Sequence, residues 1–83
     1  MSRLFVSFVS RRYIKVSSVY KLKRGFNTVY VGRTDREVEV RINEHRRSGK
    51  RFSYYVPYRG LTRAESIALE KELIRKLRTE YNR

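Results

Sequence analysis

Thr28-Val29-Tyr30-Val31-Gly32-Arg33-Thr34-Asp35-Arg36-Glu37-Val38-Glu39-Val40-Arg41-Ile42-Asn43-Glu44-His45 places a strand, a break and a helix in one short run. Val29 and Val31 alternate with Thr28 and Tyr30, the period-two pattern of a half-buried strand. Gly32 follows as the expected break, because glycine turns a chain at little steric cost. Thr34 and Glu37 have capping-box spacing and predict a helix over about 35–47. On that helix Arg41 and His45 are one turn apart and share a face. They flank the small apolar stripe of Val38 and Ile42, so a cation and an imidazole stand beside the face that must pack inward.

The rest of the chain supplies the partners of this unit. Leu4, Phe5, Val6, Phe8 and Val9 are β-prone, as is the run 13–23, with Ser10-Arg11-Arg12 as a turn between them. Arg24-Gly25-Phe26-Asn27 predicts the turn of a hairpin that pairs the strand around 19–23 with strand 28–31. Whether Tyr20 and Tyr30 then share a face depends on the parity of that turn, which the sequence leaves open. Cross-strand packing is the plain account of two such tyrosines. After the helix, 46–51 is a basic loop, and 52–58 predicts a further strand whose Pro57 restricts it to a sheet edge or a strand end. Its aromatics suit either a core or stacking on bases.

Thr62 and Glu65 form a second capping box, opening a helix over about 63–81. Leu73, Leu77, Tyr81, Ile74 and Ile67 make one apolar face, and Glu70 falls inside it. A carboxylate within an apolar stripe must be paired, protonated or bound to a cation. An ion pair with Arg41, or a helix face left partly uncovered, would account for it without further chemistry.

Composition narrows the function. The chain carries 21 basic and 8 acidic residues, a net charge of +13, so it attracts polyanions, and nucleic acid is the first partner to consider. A membrane surface is disfavoured, since no segment splits cleanly into basic and apolar faces. The absence of cysteine excludes disulfides, thiolate catalysis and Cys-based zinc sites. The apolar stretch at the N-terminus is too short and interrupted for a signal sequence or a membrane span. The expectation is an intracellular protein, cytoplasmic or nucleoid-associated, formed of one domain over 1–83 in which 1–17 is an N-terminal extension. No Walker-type phosphate loop and no second acidic cluster for a two-metal site is present.

Taken together, Tyr20, Tyr30, Arg41, His45, Glu70 and Asn82 are an inventory for metal-assisted phosphodiester hydrolysis. One carboxylate is a sufficient protein ligand for Mg²⁺ or Mn²⁺, which take the rest of their shell from water and phosphate. Arg41 suits a scissile phosphate. His45 or a tyrosine could take a proton from water. Lys21, Arg33, Arg36, Arg46, Arg47, Lys50 and Arg51 are candidate contacts to a nucleic-acid backbone.

Residues 18–82 resemble the GIY-YIG nuclease family, which includes homing endonucleases, some restriction enzymes and the incision domain of nucleotide-excision repair. Tyr30-Val31-Gly32 stands for the second signature, and Ser18-Val19-Tyr20 for the first, with serine in place of glycine. Arg41, His45 and Glu70 match the family's helical arginine, the histidine of several branches and the metal-binding glutamate, and Asn82 matches its late asparagine. The resemblance implies an α+β fold, a small α/β sandwich with a central, mostly antiparallel three-stranded sheet flanked by helices. It also implies one divalent metal on Glu70, a tyrosine that activates water with help from His45 or the other tyrosine, and Arg41 stabilising the transition state. DNA is the implied substrate, with low sequence selectivity unless a separate DNA-recognition protein supplies it, and cutting both strands could call for a homodimer. A non-catalytic module that binds DNA or structured RNA on the same fold is the rival expectation.

Overall fold

A computed structural model describes residues 15–82. Its elements are β1 (Ser17–Arg24), β2 (Asn27–Thr34), α1 (Val38–Arg47), β3 (Tyr54–Leu61), α2 (Arg63–Leu77) and a 3₁₀ turn at Glu80–Asn82. The strands form one antiparallel sheet in the order β2-β1-β3. The expected strand at 3–9, the turn at 10–12 and the first residues of the run 13–23 lie outside the described residues. Among the described residues no helix is long and apolar enough to cross a membrane.

The hairpin decides which residues meet. β1 and β2 are joined by Gly25 and Phe26, with Gly25 in the left-handed region at φ 63°. Arg24 pairs with Asn27 and Lys23 with Thr28, but Leu22 pairs with Tyr30, so Val29 is an extra residue in β2. A bulge adds one residue to one strand and shifts the alternation beyond it. Because of it, Tyr20 lies opposite Gly32 and Tyr30 opposite Leu22, and both tyrosines point to one face. In an unbroken ladder from the same turn, Tyr20 would oppose Val31, and Tyr30 would point away from it.

On that face α1 lays Val38 and Ile42 against Tyr20, Leu22 and Val29, with Tyr30, Phe52, Tyr55 and Tyr81 around the margin. The opposite face buries Val19 and Val31, and there Arg33 donates to the Ser66 hydroxyl of α2 at 2.9 Å. The sheet is therefore covered by one helix on each side.

Several element boundaries differ from the sequence reading. Gly32 does not break β2, which runs on to Thr34. Helix α1 begins at Val38, not near Asp35, and Thr34 and Glu37 form no capping box. Thr34 is instead paired with Ser18 in the sheet and accepts from the Arg36 amide, while Asp35 is held by Ser17 and Arg33. Those bonds keep the chain extended past the point where the pattern starts a helix. Thr62 and Glu65 do form the reciprocal box that opens α2. That helix ends at Leu77, short of Tyr81, because Arg78 turns left-handed at φ 47°. The third strand runs over Tyr54–Leu61, later than 52–58, with Pro57 on an edge strand as its missing N–H requires.

Candidate active site

Tyr20 is fully buried, and its hydroxyl lies 2.7 Å from His45 Nε2. Tyr30 is half-buried and closes the cluster, its ring centroid 4.8 Å from His45 and 6.2 Å from Tyr20. Gly32 makes this arrangement possible. A Cβ there would stand 2.5 Å from the Tyr20 hydroxyl oxygen and 2.7 Å from Cε2 of Tyr30. The glycine is required by close approach of side chains rather than by a turn, since its φ is not positive.

Electrostatics keep this cluster neutral. Burial, helped by Tyr30, pushes the Tyr20 phenol up to about 12, against the opposing pull of Arg41. Burial and the cations Arg41 and Lys50 push His45 down to about 4. At neutral pH both groups are uncharged, so in the Nδ1–H tautomer Tyr20 donates its proton to Nε2. The unfolded chain binds a proton on His45 first as pH falls, so the folded state loses stability between 6.5 and about 4. The urea midpoint of the parent is expected to fall between pH 7.0 and 5.0, and that of His45→Gln to change much less. Glu39 and Glu44, both held at about 2, titrate below this window, and Glu70, which burial raises, acts alike in both proteins and drops out of their comparison. Equal pH slopes for the two proteins would contradict the burial of a neutral imidazole.

Arg41 is fixed by a carboxylate that the sequence reading passed over. Glu44 accepts from Arg41 at 2.5 Å and from both terminal nitrogens of Arg36 at 3.1 and 3.0 Å. An ion pair between Arg41 and Glu70, one of the two plain accounts of that carboxylate, is not formed; Arg41 pairs with Glu44, one turn along α1. Its position three residues after Arg41 was the available signal.

Glu70 makes no hydrogen bond or ion pair among the described residues. Burial raises its carboxyl, with Arg33 opposing, and its charge reaches the Tyr20 phenol. The stripe around it is less enclosed than the helical wheel predicts: Ile67 and Leu77 are exposed, and in α2 Ser66 alone is fully buried. Among the described residues no group of three His, Cys, Asp or Glu could hold a metal. The donor set therefore suits a cation that needs one carboxylate and takes water and phosphate for the rest.

Asn82 lies against β2, an edge strand of the sheet. Its Oδ1 accepts from the Val31 amide at 2.7 Å and its Nδ2 donates to the Val31 carbonyl at 3.0 Å. It pins the strand between Tyr30 and Gly32, next to the two tyrosines.

Lys50 is brought in by the end of α1. Gly49 at φ 90°, with Lys50 N–H bonded to the His45 carbonyl and Gly49 N–H to that of Arg46, forms a Schellman motif. Its ammonium lies 5.2 Å from the Tyr30 ring centroid and 5.8 Å from that of Tyr81. Ser48-Gly49 after a helical pattern was the sequence signal for this cap. Arg46 packs on Phe52, and Arg46, Arg47 and Arg51 make no ion pair among the described residues. Lys21 lies over Tyr58, whereas Arg33 and Arg36 are committed to Asp35 and Glu44.

The chain matches the crystal structure of the GIY-YIG N-terminal endonuclease domain of UvrC from Thermotoga maritima, with a TM-score of 0.67. The match covers 84% of this chain and 87% of that one, at 19% sequence identity. This is the GIY-YIG domain fold. The UvrC domain is a point mutant bound to its catalytic divalent cation. No protein-family model matches the chain, and no curated protein sequence does. The GIY-YIG fold thus rests on the three-stranded sheet and its two flanking helices, and on it Tyr20 and Tyr30 of the sheet meet His45 of α1.

Proposed function

We propose that this chain is a divalent-metal-dependent endonuclease that hydrolyses DNA phosphodiester bonds. The observation that carries the reading is Glu70: a partly buried carboxylate without a protein partner among the described residues, its charge felt at the Tyr20 phenol. A module that only binds nucleic acid gains nothing from a carboxylate that repels phosphate.

Glu70 would hold Mg²⁺ or Mn²⁺. Such an ion, when bound, polarises a phosphoryl oxygen and steadies charge on the leaving oxygen. Tyr30 is the one member of the cluster with a partly exposed ring, so we assign it the attacking water, whose proton it would take as the phenolate, having first released its own proton to solvent. Tyr20 and His45 are buried too deeply to meet that water and instead hold the Tyr30 ring in place. Arg41, braced by Glu44, presents its remaining guanidinium N–H groups to a non-bridging phosphate oxygen. Arg46, Arg47, Lys50 and Arg51, together with Lys21, bind flanking phosphates, so association weakens steeply with salt.

Supercoiled plasmid and a branched oligonucleotide, incubated with the protein in EDTA, Mg²⁺ and Mn²⁺, test the reading. Nicked or linear products in metal alone are expected. Salt-sensitive binding without cleavage in any divalent metal would replace the nuclease with a binding module.

A further inference from the structure

We propose that Phe26 is a base-stacking wedge, through which the β1–β2 hairpin tip engages an unstacked nucleobase of DNA away from the cleavage site. The tip is a two-residue turn, with left-handed Gly25 first and Phe26 second. That is the pattern of a type II′ turn, whose second position asks nothing of a large apolar ring. Phe26 is nevertheless 99% exposed.

The ring is presented on a fixed support. Lys23 donates from Nζ to the Phe26 carbonyl at 3.2 Å and to the Thr28 hydroxyl at 3.1 Å. The Tyr54 hydroxyl donates to the Gly25 carbonyl at 3.2 Å. The turn is thus tied to its own hairpin and to β3, which limits the ordering cost of a contact made at its tip.

Its surroundings select a polyanion. Lys23 and Arg24 flank the tip; Arg24 pairs with Glu80 at 3.1 Å and donates to the Arg51 carbonyl at 2.8 Å and to the Tyr81 hydroxyl at 3.3 Å. Lys50 lies against the rings of Tyr81 and Tyr30. Tyr81 thus carries Lys50 over its ring and Arg24 on its hydroxyl, which sets cations between the tyrosine cluster and the tip. From Tyr20 to the turn, five residues at about 3.3 Å each give roughly 17 Å, about five nucleotide steps along one strand. An aromatic ring between phosphate-binding cations is the standard arrangement for stacking on a base, and every base offers a π-face to it. A duplex hides those faces. A branch, nick or mismatch exposes them, so the substrate class is DNA with locally unstacked bases.

This rests on DNA being the ligand, and its test is read without metal so that the two can fail separately. The chain has no tryptophan, so Phe26→Trp introduces a single reporter. Titrated in EDTA with a three-way-junction oligonucleotide, its fluorescence is expected to be quenched by more than half. Phe26→Ala, fully exposed and so folded, is expected to bind the junction about ten-fold more weakly, with the dependence on salt unchanged. Its affinity for an intact duplex should stay near that of the parent. Unquenched tryptophan with junction affinity equal to the parent would overturn the wedge while leaving DNA binding intact. An alanine effect on self-association rather than on DNA binding would overturn it in favour of a contact between copies. Failure of the parent to bind any DNA would remove the function on which it rests.

Discussion

Glu70→Gln is expected to cleave DNA about a thousand-fold more slowly than the parent in Mg²⁺, while binding the same DNA in EDTA equally well. The substitution keeps the volume and the polar end of the side chain, so helix α2 has no packing reason to move. What it removes is the negative charge that attracts a divalent ion. Arg41 already has its acid in Glu44, so the loss of Glu70 leaves no guanidinium without its partner there. Burial raises the Glu70 carboxyl, so a neutral replacement costs the fold nothing and relieves a strained charge. A small gain in thermal stability together with lost cleavage would be the signature of a site kept for chemistry. Retained cleavage in a folded Glu70→Gln would mean that the charge in the apolar stripe has no part in the reaction.

Gly32→Ala is expected to lose about 1–3 kcal/mol of stability, and about a hundred-fold in cleavage rate. The backbone at Gly32 suits any residue, so the whole effect comes from the added methyl. That methyl would meet the hydroxyl end of the Tyr20 ring at 2.5 and 2.6 Å and the Tyr30 ring at 2.7 Å. Tyr20 is fully buried and hydrogen-bonded to His45, so its ring has no open space to move into. Tyr30 has solvent on one side and is the ring that shifts, which displaces the group assigned to the attacking water. A denaturant midpoint and a single-turnover cleavage rate check both parts. A variant as stable and as active as the parent would show that Gly32 serves only the backbone.

How much of this was legible in the sequence depended on whether the signal was local. Glu70 stood out because a helical wheel needs only the order of residues along one helix. Arg41 and His45 were placed together by their one-turn spacing, and the Thr62–Glu65 box marked the start of α2 correctly. The matching box at Thr34 and Glu37 was false for a tertiary reason: the ladder with Ser18 and the bonds from Ser17 and Arg33 hold 34–37 extended. The meeting of Tyr20 with Tyr30 was undecidable from the sequence. It turns on Val29 as an extra residue in β2, and no residue type announces a bulge there. Gly32 was correctly singled out for the wrong reason, since its need for a missing side chain becomes visible only when the opposite strand supplies Tyr20. Lys50 was read as one cation in a basic loop. The Schellman bonds from Gly49 and Lys50 back to α1 are what turn it onto the Tyr30 ring.

The central claim is that one carboxylate on α2 and the tyrosine–histidine cluster beside α1 form a single metal-dependent site. Proton NMR during a Mn²⁺ titration tests it most directly, because the paramagnetic ion broadens only the nuclei near it. In the parent, the ring signals of Tyr20, Tyr30 and His45 should broaden at lower Mn²⁺ than those of Phe26, at the far hairpin tip. In Glu70→Gln the same rings should stay sharp at the same Mn²⁺ concentration. Broadening that is centred elsewhere, or that survives in Glu70→Gln, would contradict the account.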